Sequence, residues 1–194
     1  MSRGVGAALV AAAVVLSGCS SVEENVTTTS PSPETPVNPW DLPLEERPDL
    51  FDPCAEIPVE AVEEGVESRL EVVEGFRNYR PGELISCGWK NDEVQISLLS
   101  TWKSKQEFLT DTSLQTLEPE SNATGRTSLR MKERADSTDM GCFHVFLTES
   151  GTIMFKLSLV TTLEVLKGEQ FVRSCDALDQ AIEPITKFIP QGEF

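Results

Sequence analysis

The sequence predicts an α+β fold, with a single antiparallel sheet of about five strands, helices packed on it, and the order α-β-β-α-β-β-β-α. Three observations carry that expectation. Stretches of alternating apolar and polar residues follow one another across short turns, which reads as antiparallel neighbours. Apolar residues at helical spacing flank the strand block on both sides. Four cysteines, Cys54, Cys87, Cys142 and Cys175, lie in or beside those elements, an even number that invites two disulfides.

Each element has its own signal. "FDPCAEIPVEAVEEG" reads as a helix start, with Pro58 in a first turn, Val59, Val62 and Val66 near helical spacing, and Gly65 at the end. "ELISCGWK" and "EVQISLLST" read as two strands around the turn "KNDE". "SKQEFLTDTSLQTL" reads as a helix with Phe108, Leu109 and Leu114 on its apolar face. "GRTSLRMKE", "GCFHVFLTE" and "GTIMFKLSLVTT" read as three more strands, the last two joined by the hairpin turn "ESGT". "QFVRSCDALDQAIEPITKFIP" reads as an amphipathic helix through Val172, Leu178, Ile182 and Ile185, with a kink expected before Pro184.

The N-terminal part reads differently. Arg3 precedes the apolar run "VGAALVAAAVVL", which at twelve residues is shorter than the roughly 20 needed to span a bilayer. A positive start, a short apolar stretch and small residues before a cut site make residues 1–18 a signal peptide. The following "LSGC" resembles the bacterial lipobox. That resemblance implies cleavage between Gly18 and Cys19, acyl chains of the palmitate type on Cys19, and anchoring to the outer face of the cell membrane. Two acyl chains hold a protein stably where one does not. Residues 19–47, rich in Pro, Ser, Thr and Glu, read as a flexible tether, and residues 48–194 as the globular domain. Trp40, inside the tether, is expected to pack back on the domain or to serve a partner as an exposed anchor.

Charge narrows the function. Sixteen Lys and Arg stand against 32 Asp and Glu, a formal net charge of −16, which argues against nucleic-acid binding. The segment from Cys19 to Gly75 holds 15 acids and two bases, so the acidity lies in the tether and first helix. It reads as a solvated, self-repelling stretch.

Export past the membrane licenses disulfides. Four cysteines allow three pairings. Joining neighbours, Cys54 to Cys87 and Cys142 to Cys175, closes loops of similar length and staples each terminal helix to the sheet, and it is the favoured choice. No close cysteine pair suggests a redox motif or a zinc site.

The lipobox, the Pro-rich tether, "FDPC" followed by "EIP", the "CGW" strand, "GR" before the third strand and "SCDALDQAIEPITKFIP" resemble actinobacterial lipoproteins of the family called Domain of Unknown Function 3558. The resemblance covers residues 47 to 190 or so. It implies a cell-envelope lipoprotein and supplies no catalytic residues.

Chemistry leaves few handles. The single histidine, His144, shares a strand face with Cys142 and Phe146 and reads as a packed core residue, with an exposed position or a catalytic base as alternatives. Arg126, Arg130, Lys132 and Arg134 form the densest basic run. It reads as the charged face of an exposed strand or as a contact for an anionic polymer or acidic partner. No enzyme, cofactor or metal is expected. The two leading expectations are a tethered binding or interaction module meeting an envelope protein, and a carrier of a lipid or other apolar ligand in a pocket between helix and sheet. A hydrolase ranks third.

Overall fold

The computed structural model describes residues 37–160, 165–170 and 173–192. Residues 1–36, including the expected signal peptide and Cys19, lie outside the described residues, as does Val172.

The first two α-helices, α1 (Pro53–Glu56) and α2 (Val59–Val66), are short. Strands β1 (Glu71–Val72), β2 (Asn78–Arg80), β3 (Leu84–Lys90) and β4 (Val94–Thr101) follow. Helix α3 (Lys105–Thr110) precedes β5 (Leu114–Ala123), β6 (Arg126–Glu133), β7 (Gly141–Thr148) and β8 (Gly151–Leu159). A small hairpin, β9 (Val165–Leu166) and β10 (Glu169–Gln170), leads to α4 (Ser174–Ala181) and α5 (Glu183–Thr186).

Eight strands form one sheet in the order β1-β3-β4-β8-β7-β6-β5, with β2 also paired to β3. Every pairing is antiparallel. The expected count of about five strands is therefore corrected to eight. Strands β3, β4 and β6 to β8 stand where alternation placed them. The short β1 and β2 carry too few residues to show a period.

The third addition, β5, occupies a stretch expected to be helical. Helix α3 stops at Thr110, because the Asp111 carboxylate accepts from the Ser113 backbone and hydroxyl and turns the chain. Leu109 is consequently exposed, and Leu114 begins a strand. Pro119 is tolerated because β5 is an edge strand whose register shifts between Glu118 and Ser121.

The first helix is split. Asp52 caps α1 by accepting from the Cys54 and Ala55 amides, and Pro58 holds Ile57 extended before α2 begins. Gly65 lies inside α2, and Glu67 ends that helix in the left-handed conformation at φ 53°. The glycine serves packing instead. A Cβ there would run into the Ala181 carbonyl, so α2 crosses α4 at backbone contact. At the other end of the chain, the expected kink is a break at Ile182, with Pro184 in the first turn of α5.

Helices α1, α2, α4 and α5 cover one face of the sheet. Their core includes Val62, Val66, Ile96, Leu98, Phe155, Leu157, Leu178, Ile182 and Ile185. Helix α3 covers part of the opposite face, where Phe108 packs on Leu129, Met131, Phe143 and Val145. The cysteines join as neighbours: Cys54 to Cys87 fastens α1 to β3, and Cys142 to Cys175 fastens α4 to β7.

The folded unit begins at Val37, so residues 37–47, expected within the tether, belong to it. They make two 3-10 turns, Pro39–Asp41 and Leu44–Glu46. The Trp40 indole N–H donates to the Thr148 carbonyl at 3.1 Å, and its ring meets Trp102 edge-on with centroids 5.0 Å apart. Arg47 lies over both rings and donates to the Leu42 and Trp40 carbonyls. Trp40 thus packs on the domain.

Candidate functional site

Strand pairing lines up Cys87, Leu98, Phe155, His144, Arg130 and Glu118 across β3, β4, β8, β7, β6 and β5. The row passes from a disulfide through apolar core to a polar end, and all six face α1, α2, α4 and α5. His144 sits at the change of character. It is fully buried, as its place beside Cys142 and Phe146 implies.

Its partners come from two other elements. The Ser128 hydroxyl lies 2.7 Å from Nδ1, and Asp179 Oδ1 lies 2.8 Å from Nε2. A carboxylate only accepts, so Nε2 donates, and in the neutral imidazole Nδ1 accepts the Ser128 proton. The other Asp179 oxygen accepts from Arg130 at 2.7 Å, and Arg130 also pairs with Glu118 at 2.9 Å and with Asp176 at 3.6 Å. Local geometry explains the alignment. Cys142 and His144 are two apart on a strand, about 6.8 Å, while Cys175 and Asp179 are four apart on a helix, about 6 Å. The covalent rung Cys142–Cys175 and the polar rung His144–Asp179 therefore fit side by side.

Ser, His and Asp in one relay invite comparison with a nucleophilic triad. In that template the serine bonds Nε2 and the carboxylate bonds Nδ1. Here the ring is used the other way round. Ser128 is only 4% exposed, on the helix-covered face, and His144 is 0% exposed. The relay joins β6, β7 and α4. Replacing Asp179 with alanine leaves the His144 N–H and one side of the Arg130 fork without an acceptor. An expected loss of about 2–3 kcal/mol follows, with Asp179→Asn, which keeps an oxygen for Nε2, costing less. Urea unfolding of the two variants beside the unaltered chain checks this order, and an Asp179→Ala midpoint equal to that of the unaltered chain would remove the rung's energetic role.

The basic run is corrected by the same face. Arg126, Arg130 and Lys132 do share one side of β6, but that side faces the helices and not open solvent. Arg126 donates to the Thr186, Ile189 and Pro190 carbonyls, holding the carboxyl end of α5 with a cation, and its guanidinium lies over Phe146. Lys132 pairs with Asp139. Arg134 donates to the Thr112 and Leu114 carbonyls and ties β6 to the start of β5. These cations are committed within the domain.

Carboxylates outside the relay also serve local structure. Burial pushes the Asp136 carboxyl up, yet bonds from the Gly141 amide and from the Thr138 hydroxyl and amide hold it below the usual range. Lys103, with help from Ser113, holds Asp111 well below the usual carboxylate range. Among the described residues, no three His, Cys, Asp or Glu side chains are placed to share a metal ion. No helix among them is long and apolar enough to cross a membrane.

Surface clefts remain. One of about 670 Å³ runs beside Trp40, Arg47 and Trp102. Another, about 270 Å³, lies between the α1–α2 junction and the β1–β3 edge, against the Cys54–Cys87 bridge. The relay serine and aspartate, 16 and 35 residues from His144 in sequence, went unread from the chain alone. Two signals pointed to them: the even-numbered face of β6 and the four-residue spacing of Cys175 and Asp179.

Fold and site together define a disulfide-stapled α+β sheet domain whose polar groups bind one another across the sheet–helix interface. The chain belongs to the family described as "Protein of unknown function (DUF3558)", whose model matches residues 14–186. Comparison with curated proteins and with solved structures finds no match.

Proposed function

We propose that this chain is a cell-envelope lipoprotein, anchored by acyl chains on Cys19 to the outer face of the cell membrane, whose domain acts as a tethered binding module. The signal peptide and lipobox support the anchor. Residues 19–36 supply the tether, and the domain acts by binding and not by catalysis. The observation that carries this choice is an interior closed to solvent. Phe155, Leu157, Leu178, Ile182 and Ile185 are fully buried between sheet and helices, so a ligand or partner is met at the surface. The burial of Ser128 and His144 weighs against hydrolysis for the same reason.

A carrier of an apolar ligand is the second reading, favoured by the cleft against Cys54–Cys87. Two experiments test the proposal. The Cys19→Ala chain should lose its acyl mass and leave the membrane fraction for the medium, and retention of both would sink the anchor. Native mass spectrometry of the protein drawn from envelope extracts should show a protein partner. A stoichiometric lipid in its place would favour the carrier.

A further inference from the structure

Of the eight described arginines, seven spend their guanidinium on a carboxylate or a backbone carbonyl: Arg47, Arg69, Arg80, Arg126, Arg130, Arg134 and Arg173. Arg77 has no such partner among the described residues. In a chain with a formal charge of −16, an arginine without a carboxylate is conspicuous.

Its position gives it a use. Arg77 is exposed and lines the cleft of about 270 Å³ against the Cys54–Cys87 bridge. The other walls are apolar: Val59 and Ile57 from the α1–α2 segment, Val72 and Val73 from the β1 edge, and Trp89 from β3. Val72 is 57% exposed, a valine left unburied beside a cation.

We propose that this cleft binds a single-chain amphiphile, an acyl chain ending in a carboxylate, with Arg77 meeting the head group. Charge complementarity selects an anion, since Arg77 is the cation available to it. Apolar walls select a chain, since burial of methylenes and not one exposed arginine provides the affinity. The volume lies just below the range of about 300–1,000 Å³ usual for small-molecule pockets, so one chain fits and a two-chain lipid does not. The cleft is the one that favours the carrier, so the proposal rests on that second reading and not on how the chain is anchored, and the interior core stays closed.

Isothermal titration of the full chain with decanoate, decanol and acetate tests it, at concentrations below micelle formation. Decanoate should bind saturably, acetate should not, and affinity should rise about fourfold per added methylene from hexanoate until the cleft is full. Arg77→Gln should weaken decanoate about 10-fold and leave decanol unchanged. Val72→Asp should weaken both. Arg77 and Val72 are exposed, so both variants keep the core intact. Equal binding of decanol and decanoate to the native chain, decanoate binding indifferent to Arg77→Gln, acetate binding as tight as decanoate, or no saturable binding would each overturn the proposal.

Discussion

Removing the Cys142–Cys175 bridge as the double alanine variant should lower the unfolding free energy by about 4 kcal/mol, and removing Cys54–Cys87 should cost nearly as much. The reason is the unfolded chain. Both bridges span a sequence separation of 33, so each restricts the denatured ensemble by the same loop-closure entropy. The native surroundings then separate them. Cys142 is fully buried in the main core, whereas Cys54 is only partly buried, so the first pair adds a larger cavity cost. Losing both bridges removes about 8 kcal/mol from a net stability of about 5–15 kcal/mol. The four-alanine chain should therefore be largely unfolded at 37 °C. Urea titrations followed by circular dichroism measure all three variants. A gap above about 2 kcal/mol between the two pairs would mean that equal loops are not the governing term.

Gly65→Val should destabilise this domain more than Asp179→Ala does. Its side chain would have to occupy the space of the Ala181 carbonyl, which is main chain and cannot rotate away. Helix α2 must then lift from α4, opening the core around Val62, Val66 and Ile182. Overpacking of a close-packed core costs about 1–3 kcal/mol when side chains can adjust. Contact with fixed backbone places this case above that range. Gly65→Ala should show the same defect in milder form, above the helix-propensity gain of about 1 kcal/mol that alanine would otherwise bring. A rise in the thermal midpoint of Gly65→Ala would show that α2 is free to shift.

That glycine also illustrates how far the sequence can be read. A glycine near the end of an apolar helical pattern has two explanations, chain termination and close approach, and only the position of α4, more than 100 residues later, separates them. The strands with five or more alternating residues were legible because alternation is a property of the strand itself. Strand β5 was not, because Phe108, Leu109 and Leu114 mimic helical spacing across a turn made by Asp111 and Ser113. The cysteine framework was legible because equal, local loops favour neighbour pairing. The basic run was half legible. Alternation put Arg126, Arg130 and Lys132 on one face, but which face meets α4 is fixed by the sheet as a whole. Arg77 carries no motif, and its interest comes only from what every other described arginine is doing.

The strap formed by residues 37–47 has a mechanical consequence. Any pull delivered through the chain before Val37 loads Trp40 first, and Trp40 is held by the Thr148 carbonyl, the Trp102 ring and Arg47. If that buckle slips, the chain pays out only as far as Cys54, 17 residues on from Val37. At roughly 3.5 Å per residue the stretched segment reaches about 60 Å, which bounds the slack from above. There the load meets a covalent stop on β3, inside an eight-stranded sheet, so the tension is carried by many strands at once and does not peel the helices one by one.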